Sequence, residues 1–391
     1  MLSELPEGWT LNPLAKILQP SLFIDGDWVE SKDQSPDGDV RLVQLADIGD
    51  GHFIDKSDRH LTKDAAVRLK CTFLKKGDLL VARMPEPLGR CCVFPLDGEE
   101  RFVTVVDVAV MRPHDNFNSI WLMNLVNSGY ARKFIEDNAG GTTRKRISRK
   151  NLGGLPLPVP PLNEQNRIAE ILSSADASIQ ATQAVIEQAE RVKRGLMEEL
   201  LTGGLGSEAI ERGEVPEGWI TKTLTEIAKV ATGKHDANHA TEGGRYRFYT
   251  CAADFFACDT KRFSGGCIIL PGNGANVGEV YYFDGEFDAY QRTYVVSEID
   301  ANKRFLLHHL KKYWRERNVN KQYGSATNFL KMGNFKTYKV CLPPQSEQEI
   351  IAEILSSIDE FVASQKSVAE QQNRTKRGLM DDLLTGKVRT V

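Results

Sequence analysis

Several features that would assign this 391-residue chain to other classes of protein are missing. No apolar run approaches the roughly 18 residues of a membrane-spanning helix, and the N-terminal residues carry no basic stretch followed by an apolar one. The seven cysteines include no C-x-x-C pair and are odd in number, which argues against a zinc ribbon and a disulfide framework. We therefore expect a cytoplasmic protein that is neither secreted nor inserted in a membrane.

Motifs for catalysis and nucleotide binding are also missing. The sequence has no G-x-S-x-G elbow and no Walker loop, and its histidines show no metal-ligand spacing. The glycine-rich stretch Gly272–Gly278 precedes Glu279–Phe283, which predicts a strand and not the helix that a phosphate-binding loop requires. We therefore predict no catalytic residue, no bound cofactor and no metal site in this chain.

An excess of positive charge is lacking as well. Fifty Lys and Arg stand against 53 Asp and Glu, giving a formal charge of -3, which by itself disfavours DNA binding. The charges are unevenly distributed, however. Thr142–Asn151 carries five basic residues and no acidic one, and Lys303–Val340 carries ten basic residues with Glu316 as the only acid. Acidic stretches such as Asp25–Asp64, with eleven acids and five bases, hide these two basic patches in the sum.

What the sequence does contain is a strong internal repeat. Residues 160–203 and 343–386 align without a gap, and 25 of the 44 positions are identical. A shorter motif, Pro-Glu-Gly-Trp, occurs at Pro6–Trp9 and again at Pro216–Trp219. The chain thus alternates a variable region with a repeated one, twice. If the two ends of the chain meet in space, the chain closes into a ring, and its two halves contain nearly the same order of segments.

Each repeat predicts one long helix, because a Pro-Pro stop is followed by about 38 residues without proline. Apolar or small residues recur at alternating spacings of three and four, which is typical of a coiled coil. The predicted seam comprises Ile168, Ile171, Ala175, Ser178, Thr182, Val185, Ala189, Val192 and Leu196, and Ile351, Ile354, Ile358, Phe361, Gln365, Val368, Gln372, Thr375 and Leu379. Each helix could pack on its own domain, but antiparallel pairing of the two helices agrees better with their near-identity.

The variable regions mix short β-rich runs, such as Asp78–Ala82 and Gly266–Leu270, with one amphipathic helix near the end of each. We therefore predict an α+β fold in which two mixed α/β domains are separated by two long α-helices, paired as an antiparallel coiled coil in a pseudo-two-fold cyclic repeat. The predicted boundaries are 1–159, 160–203, 204–342 and 343–391.

The basic patches occupy corresponding places, each shortly before its Pro-Pro and long helix. Polar residues are interspersed among the charges, including Thr143 in the first patch and Ser325 in the second. Lys and Arg neutralise phosphates, while Asn, Gln and Arg can pair with base edges. A solvated basic face is the simpler interpretation of either patch alone, but the recurrence in both copies favours nucleic-acid contact.

Taken together, the layout resembles the specificity subunits of type I restriction-modification systems. The motifs that carry the resemblance are Leu5–Trp9, Val215–Trp219, Pro160–Gln165, Pro343–Gln348, Arg194–Met197, Arg377–Met380, Gly140–Ile147 and Gly324–Phe329. The resemblance covers essentially the whole chain. It implies two target-recognition domains that read a split double-stranded DNA target, with the helices setting the unread spacer.

The resemblance also implies partners. Two modification subunits would bind S-adenosylmethionine and methylate adenine, and two restriction subunits would use ATP and Mg to translocate and cut. None of these cofactors is assigned to this chain.

Candidate DNA contacts follow from the resemblance and from the basic patches. As base readers we predict Arg83, Arg90, Thr143, Arg144 and Arg146 in the first domain, and Asn273, Asn276, Gln291, Arg292, Ser325 and Asn328 in the second. As phosphate contacts we predict Lys145, Lys150, Lys234, Lys331 and Lys336. Two alternatives stay open at this point: a coiled-coil adaptor that joins two proteins without reading DNA, and a fused enzyme that reads and also acts.

Overall fold

The computed structural model describes residues 5–84, 87–319 and 329–390. The chain divides into two compact units. Unit 1 comprises Met1–Thr182 and Val368–Val391, and unit 2 comprises Gln183–Ser367. Each unit therefore contains one variable region together with a part of each helical repeat. The four-segment boundaries drawn from the sequence stay a prediction.

The described part of unit 1 contains nine strands and six α-helices. The strands are β1 (Thr10–Pro13), β2 (Leu22–Asp25), β3 (Val40–Val43), β4 (His60–Leu61), β5 (Leu79–Ala82), β6 (Cys91–Val93), β7 (Phe102–Thr104), β8 (Val108–Arg112) and β9 (Pro156–Val159). The helices are α1 (Leu14–Ile17), α2 (Lys63–Arg68), α3 (Ser119–Asn127), α4 (Gly129–Asp137), α5 (Arg149–Gly153) and the long α6 (Leu162–Leu200), whose C-terminal part belongs to unit 2.

Unit 2 also has nine strands in its described residues, together with five α-helices. The helices are α7 (Ser207–Glu211), α8 (Leu224–Ile227), α9 (Lys303–Asn318), α10 (Met332–Thr337) and the long α11 (Gln345–Leu383), whose C-terminal part belongs to unit 1. The strands are β10 (Ile220–Thr223), β11 (Lys229–Thr232), β12 (Tyr246–Tyr249), β13 (Phe256–Cys258), β14 (Gly266–Pro271), β15 (Tyr281–Asp284), β16 (Phe287–Ala289), β17 (Thr293–Ser297) and β18 (Lys339–Leu342). None of the described helices combines the length and apolarity that crossing a bilayer requires.

The strands of the two units have the same connectivity. In unit 1 the sheets have the orders β2-β8-β5-β6 and β4-β3-β7, and β1 pairs with β9. In unit 2 the orders are β11-β17-β14-β15 and β13-β12-β16, and β10 pairs with β18. The mixed sheets agree as well, because β3 is antiparallel to β4 and parallel to β7, as β12 is to β13 and β16. The duplication therefore extends through both variable regions, although their sequences share little.

The cores fix the ends of the long helices to the units. Strands β5 and β14 are buried at every position, as expected for short apolar runs covered on both faces. The largest core of unit 1 includes Trp121 of α3, Leu172 of α6 and Leu384, just after α11. The corresponding core of unit 2 includes Trp314 of α9 and Leu355 of α11.

Within each unit the long helices run antiparallel to each other. The interhelical polar contacts include Asp176–Lys376 and Ser178–Gln372 in unit 1, and Glu190–Lys366 and Lys193–Asp359 in unit 2. In each unit the residue number in α11 falls as the number in α6 rises. The predicted α+β fold with an antiparallel coiled coil and a cyclic repeat is confirmed.

The seam differs from the predicted one at six of the eighteen predicted positions, whose side chains are exposed. The buried apolar residues are Ile168, Ala169, Leu172, Ile186 and Met197 in α6, and Ile351, Ala352, Leu355, Val362 and Met380 in α11. Of the predicted residues, Ile168 and Ile351 are buried, and Ile171, Ala175, Thr182, Ala189, Leu196, Ile354, Ile358, Gln365, Gln372 and Leu379 are half-buried.

The seam prediction is wrong for Val185, Phe361 and Val368, whose side chains are 43%, 46% and 39% exposed. Ser178, Val192 and Thr375 are exposed as well. A seam along one helix face can follow steps of three then four residues, or of four then three. The two patterns lie on almost the same face of the helix and differ by one residue at alternate positions. Both neighbours are apolar at Val185–Ile186 and at Phe361–Val362, so the sequence could not distinguish the two phases. The helices bury the second residue of each pair.

The Pro-Glu-Gly-Trp motif packs against the end of a long helix in both units. A Cβ on Gly386 would lie 2.5 Å from Cγ of Pro6, and a Cβ on Gly203 would lie 2.7 Å from Cγ of Pro216. Both glycines also have a positive φ, of 77° and 56°, so only glycine suits these close approaches. The first and last described segments of the chain therefore lie side by side in unit 1, in agreement with the cyclic arrangement.

A buried ion pair reinforces this closure. Glu164 is 1% exposed, accepts a hydrogen bond from Trp9 Nε1 at 2.9 Å and pairs with Arg389 at 2.7 Å. Burial alone would raise the pKa of Glu164, but the hydrogen bonds from Arg389 and Trp9 outweigh it and hold this pKa below its ordinary value. The carboxylate is therefore charged at neutral pH and ties the two chain segments together.

Candidate nucleic-acid interface

In unit 1 the predicted reading loops meet at the end of strand β5. Ile147 donates a backbone hydrogen bond to Arg83 O at 3.2 Å, which joins the segment 140–147 to the loop after β5. Ile147 is fully buried and anchors that segment in the core. Because strand β5 is itself buried, it gives both loops a rigid support.

Segment 140–146 forms a tight loop that presents basic side chains. Gly140 and Arg146 exchange two backbone hydrogen bonds of 2.9 and 2.8 Å, which close the loop. Gly141 has φ +101°, and a Cβ there would lie 2.5 Å from Arg144 O, so glycine is required at the turn. Thr143, Arg144 and Lys145 are exposed on this loop.

The remaining basic residues of this region are more constrained. Arg146 is 45% exposed and pairs with Asp107 at 2.9 Å. Lys150 is exposed in the first turn of α5, whose N-terminus is capped by Ser148 accepting from Asn151 N at 3.1 Å. Thr143, Arg144, Lys145, Arg146 and Lys150 stay predicted DNA contacts.

The structure corrects the prediction that Arg83 reads a base. Arg83 is 3% exposed, and its guanidinium pairs with Asp25 at 3.0 Å and donates to the carbonyls of Val106 and Ile147. Burial lowers the pKa of Arg83, and the nearby Asp25 carboxylate opposes this effect. A side chain engaged in this way cannot reach a groove. Arg83 instead holds β5 to the loop 140–147.

Arg90 also has a structural role in this conformation. Its Nε donates to Ile48 O at 3.0 Å, and its terminal nitrogens donate to Leu45 O at 3.4 Å and Pro87 O at 3.5 Å. These bonds connect the loop after β5 to the segment after β3. With its guanidinium bonded to three backbone carbonyls, Arg90 does not support the prediction that it reads a base.

Unit 2 has an equivalent arrangement at the end of β14. Leu330 N donates to Gly272 O at 2.8 Å, and Leu330 lies 183 residues after Ile147, the donor in unit 1. A Cβ on Gly272 would lie 2.1 Å from Arg292 O, so the loop after β14 lies directly against the turn between β16 and β17. Gln291 and Arg292 are exposed at the tip of that turn.

Two further contacts bring the other predicted residues of unit 2 to the same end. Asn276 Nδ2 donates to Cys251 O at 2.8 Å, which ties the loop after β14 to the segment after β12. A Cβ on Gly233 would lie 1.6 Å from Ala289 O, so the segment that carries Lys234 packs against β16. Asn273 forms a β-bridge with Phe329.

The predicted residues of unit 2 differ in exposure. Lys234, Gln291, Arg292, Lys331 and Lys336 are exposed, and Asn273 and Asn276 are half-buried. Ser325 and Asn328 lie outside the described residues. The Lys331 ammonium lies 5.1 Å from the ring centroid of Phe329, at the same end of the unit. All nine stay predictions as DNA contacts.

A polar cluster that no sequence motif indicates lies behind Lys234. The rings of His235 and His239 stack with centroids 3.6 Å apart, and His235 Nε2 lies 3.5 Å from Asp288 Oδ2. Asp288 is 1% exposed and also accepts from Thr260 Oγ1 at 2.7 Å. No group of three potential metal ligands occurs in the described parts of the chain. The cluster therefore anchors the loop that carries Lys234, and its partners are too distant in sequence to form a local motif.

Each unit thus brings basic side chains to the loops at one end of its central buried strand, together with Thr143 in unit 1 and with the amides of Asn273, Asn276 and Gln291 in unit 2. Guanidinium and ammonium groups at such a surface neutralise phosphates, and amides and arginines can hydrogen-bond base edges. In unit 1 the neighbouring acids Asp25 and Asp107 are paired with arginines. This arrangement is suited to binding an anionic polymer.

Comparison with known proteins identifies the family. A family model described as the type I restriction modification DNA specificity domain matches residues 6–191 and 216–371. The type I restriction enzyme EcoDI specificity subunit of Escherichia coli is 36% identical over 164 residues, which cover 41% of this chain and 35% of that protein. The putative type I restriction enzyme MjaX specificity subunit of Methanocaldococcus jannaschii is 24% identical over 417 residues, covering 99% of this chain and 95% of the relative.

Solved structures share the fold. The crystal structure of a type I restriction-modification S subunit from M. genitalium has a TM-score of 0.62 at 17% identity, with 98% of this chain and 97% of that chain covered. A structure reported for the complex assembly and conformational transition of the type I R-M system has a TM-score of 0.57 at 18% identity, covering 98% and 100% of the two chains. Since the family model matches both halves of the chain, this protein belongs to the family of type I restriction-modification DNA specificity subunits.

Proposed function

We propose that this chain is the non-catalytic, DNA-reading subunit of a type I restriction-modification complex and that its target is bipartite. In this proposal unit 1 contacts one half-site and unit 2 contacts the other. The paired helices α6 and α11 set the length of the unread spacer. The loops after β5 and β14, with the segments hydrogen-bonded to them, make the contacts.

One observation carries the proposal: the same strand order occurs twice, and in both copies exposed basic residues gather at the end of the same buried strand. Because Ile147 and Leu330 make equivalent backbone bonds, the two sets of loops are supported in the same way. The side chains on those loops differ between the units. Two similar scaffolds with different contact residues are suited to reading two different sequences.

The proposed partners are two modification subunits, which bind S-adenosylmethionine and methylate adenine, and two restriction subunits, which use ATP and Mg. A groove on the helix pair of unit 2 supports partner binding, since it is lined by Val185, Val192, Ile358 and Phe361. Val185, Val192 and Phe361 are 43%, 45% and 46% exposed. An exposed apolar groove between helices fits the apolar face of a partner helix.

The first test replaces Arg144 with glutamate. Arg144 is exposed on the loop 140–146, so the substitution adds repulsion from phosphate without disturbing the core. Methylome sequencing of cells with and without the gene supplies the target, and fluorescence anisotropy then measures its binding to the assembled methyltransferase complex. We expect Arg144→Glu to weaken binding at least about tenfold, with the complex still assembled.

Lys76→Glu is the matched control, because Lys76 is exposed and precedes β5, whereas the reading loop follows it. This substitution changes the total charge equally and should affect the affinity far less. If the Arg144→Glu complex binds and methylates the target as the wild type does, this loop is not a reader. If the wild-type complex recognises no bipartite sequence at all, the coiled-coil adaptor becomes the better account of the protein.

A further inference from the structure

Beside the predicted reading loops of unit 2, one arginine is held between two aromatic rings. The guanidinium carbon of Arg247 lies 4.2 Å from the ring centroid of Phe255 and 4.3 Å from that of Phe283. Its Nη1 donates to Tyr249 Oη at 3.3 Å. Such contacts restrain a guanidinium without neutralising its charge.

The surface around Arg247 is open to solvent. Arg247 is exposed, and the adjacent Phe255 and Phe256 are 47% and 49% exposed. Arg247 takes part in none of the ion pairs found in the described residues of unit 2. The side chain therefore combines a fixed orientation with an uncompensated charge.

The segment that carries Phe255 is tied to the predicted reading loops. Cys251, four residues before Phe255, accepts from Asn276 Nδ2 through its carbonyl at 2.8 Å and donates from Sγ to Arg292 O at 3.5 Å. Tyr290 N also donates to Tyr249 O at 2.9 Å, at the end of the strand that carries Arg247. DNA lying on the loops that carry Asn276 and Arg292 is thus adjacent to this surface.

The equivalent arginine of unit 1 has no such freedom. Arg41 lies opposite Phe102 of β7 in the register in which Arg247 lies opposite Phe287 of β16, so the two occupy the same position in the fold. The guanidinium of Arg41 is bonded to Asp55 and lies 3.5 Å from Asp47, and its side chain is 17% exposed. One strand position thus carries a compensated cation in unit 1 and an uncompensated one in unit 2.

We propose that Arg247 is a further DNA contact of unit 2: it neutralises a backbone phosphate, and Phe255 and Phe256 pack against the adjoining deoxyribose. The proposal rests on the proposed function, since it assumes that the loops of unit 2 lie on DNA. The two rings hold the guanidinium in place before binding, which reduces the rotamer entropy lost on contact. Unit 1 makes no equivalent contact, because Asp47 and Asp55 compensate Arg41.

The test measures how DNA affinity depends on salt. The assembled methyltransferase complex is titrated with its target between about 50 and about 200 mM salt, because each neutralised phosphate contributes about 0.9 to the slope of log K against log salt. We expect Arg247→Gln to reduce that slope by about one unit and to weaken binding. Arg247→Lys keeps the charge, so it should restore most of the slope.

Arg304→Gln is the matched control. Arg304 is also exposed and stacks on an aromatic ring, with its guanidinium carbon 4.2 Å from the Tyr282 centroid. It lies in the first turn of α9, where the neighbouring Asn302 N is bonded to Gln348 of α11, away from the reading loops. This variant should keep the wild-type slope, and circular dichroism verifies the folding of all three variants.

Each outcome decides between the proposals. A wild-type slope for Arg247→Gln, or an equal loss of slope for Arg304→Gln, overturns the assignment of Arg247. If either result is found while the wild-type complex still binds DNA sequence-specifically, the proposed function is unaffected. If the wild-type complex has no sequence-specific binding, the proposed function fails and the contact by Arg247 fails with it.

Discussion

His308 and His309 lie on the face of α9 that packs into unit 2, and each is 1% exposed. Burial lowers the pKa of His308 to about 4, against the opposing effect of Asp359, and lowers the pKa of His309 to about 3. Both imidazoles are therefore neutral at pH 7. His308 Nε2 lies 3.2 Å from Ser356 Oγ, so a neutral ring is satisfied on that side by a hydrogen bond between α9 and α11.

The lowered pKa values of the two histidines predict that unit 2 loses stability in acid. Unfolded histidine titrates near pH 6.5, so between about pH 6.5 and pH 4 the unfolded state binds a proton that the folded state does not. As the pH is lowered through that window, the free energy of unfolding should fall by about 1.4 kcal/mol per pH unit for each histidine. His308→Gln keeps a partner for Ser356 and removes one of the two contributions, so urea unfolding at pH 7, 6 and 5 should give a shallower dependence.

The exposed His114→Gln variant of unit 1 is the control for this experiment. An unchanged pH dependence for His308→Gln would show that this side chain is not protonated on unfolding.

At the scale of single residues, sequence alone could not show which side chains are engaged inside the fold. Sequence alone makes Arg83 and Arg144 equally acceptable base readers, but the partner that makes Arg83 structural is Asp25, 58 residues earlier in the chain.

At the scale of elements, the long helices were predictable because their signals are local: a proline stop, a period of 3.5 and a repeated sequence. The order of the strands in the sheets was not predictable, because it depends on distant pairings such as that of β2 with β8, in which Leu22 pairs with Arg112, 90 residues later. The phase of the helix seam was also ambiguous, since Val185 and Ile186 are both apolar. That ambiguity has a consequence, because burying Ile186 leaves Val185 exposed in the groove of unit 2.

The groove leads to a prediction about assembly. Replacing Val185 with serine should weaken binding of the modification subunit about tenfold, because about 1.4 kcal/mol of apolar burial is lost at the interface. The stability of the free chain should change little, since Val185 is 43% exposed. Isothermal titration of the chain with the purified modification subunit measures the difference.

Val67→Ser provides the comparison, because Val67 is 61% exposed on α2 and lies outside the groove. If the Val185→Ser and Val67→Ser chains both keep the wild-type affinity, the partner does not use this groove. Equal losses would point to a general effect of the substitution.

At the scale of the whole molecule, a formal charge of -3 coexists with basic loops in both units. Few phosphate contacts are available to the chain alone, so we expect it to bind its target weakly. Affinity should rise more than about tenfold when modification subunits are added, because they complete the positive surface around the DNA. Anisotropy titrations of the chain with and without the modification subunit test this, with a scrambled duplex as the control.

The prediction fails if the chain alone binds its target as tightly as the complex does. It also fails if the added subunits increase binding to the scrambled duplex equally, because the gain would then be independent of sequence. The experiment therefore separates the contribution of this chain from that of its partners.

The ion pairs between α6 and α11 have a consequence of their own. Asp176 and Lys193 lie 17 residues apart in α6, and Asp359 and Lys376 lie 17 residues apart in α11. When such a helix is reversed and laid against a copy of itself, each acid meets a base. The charges of each long helix therefore match those of a reversed copy of the same helix. One half of the chain, with one such helix, already has the charged residues needed to pair with a second half.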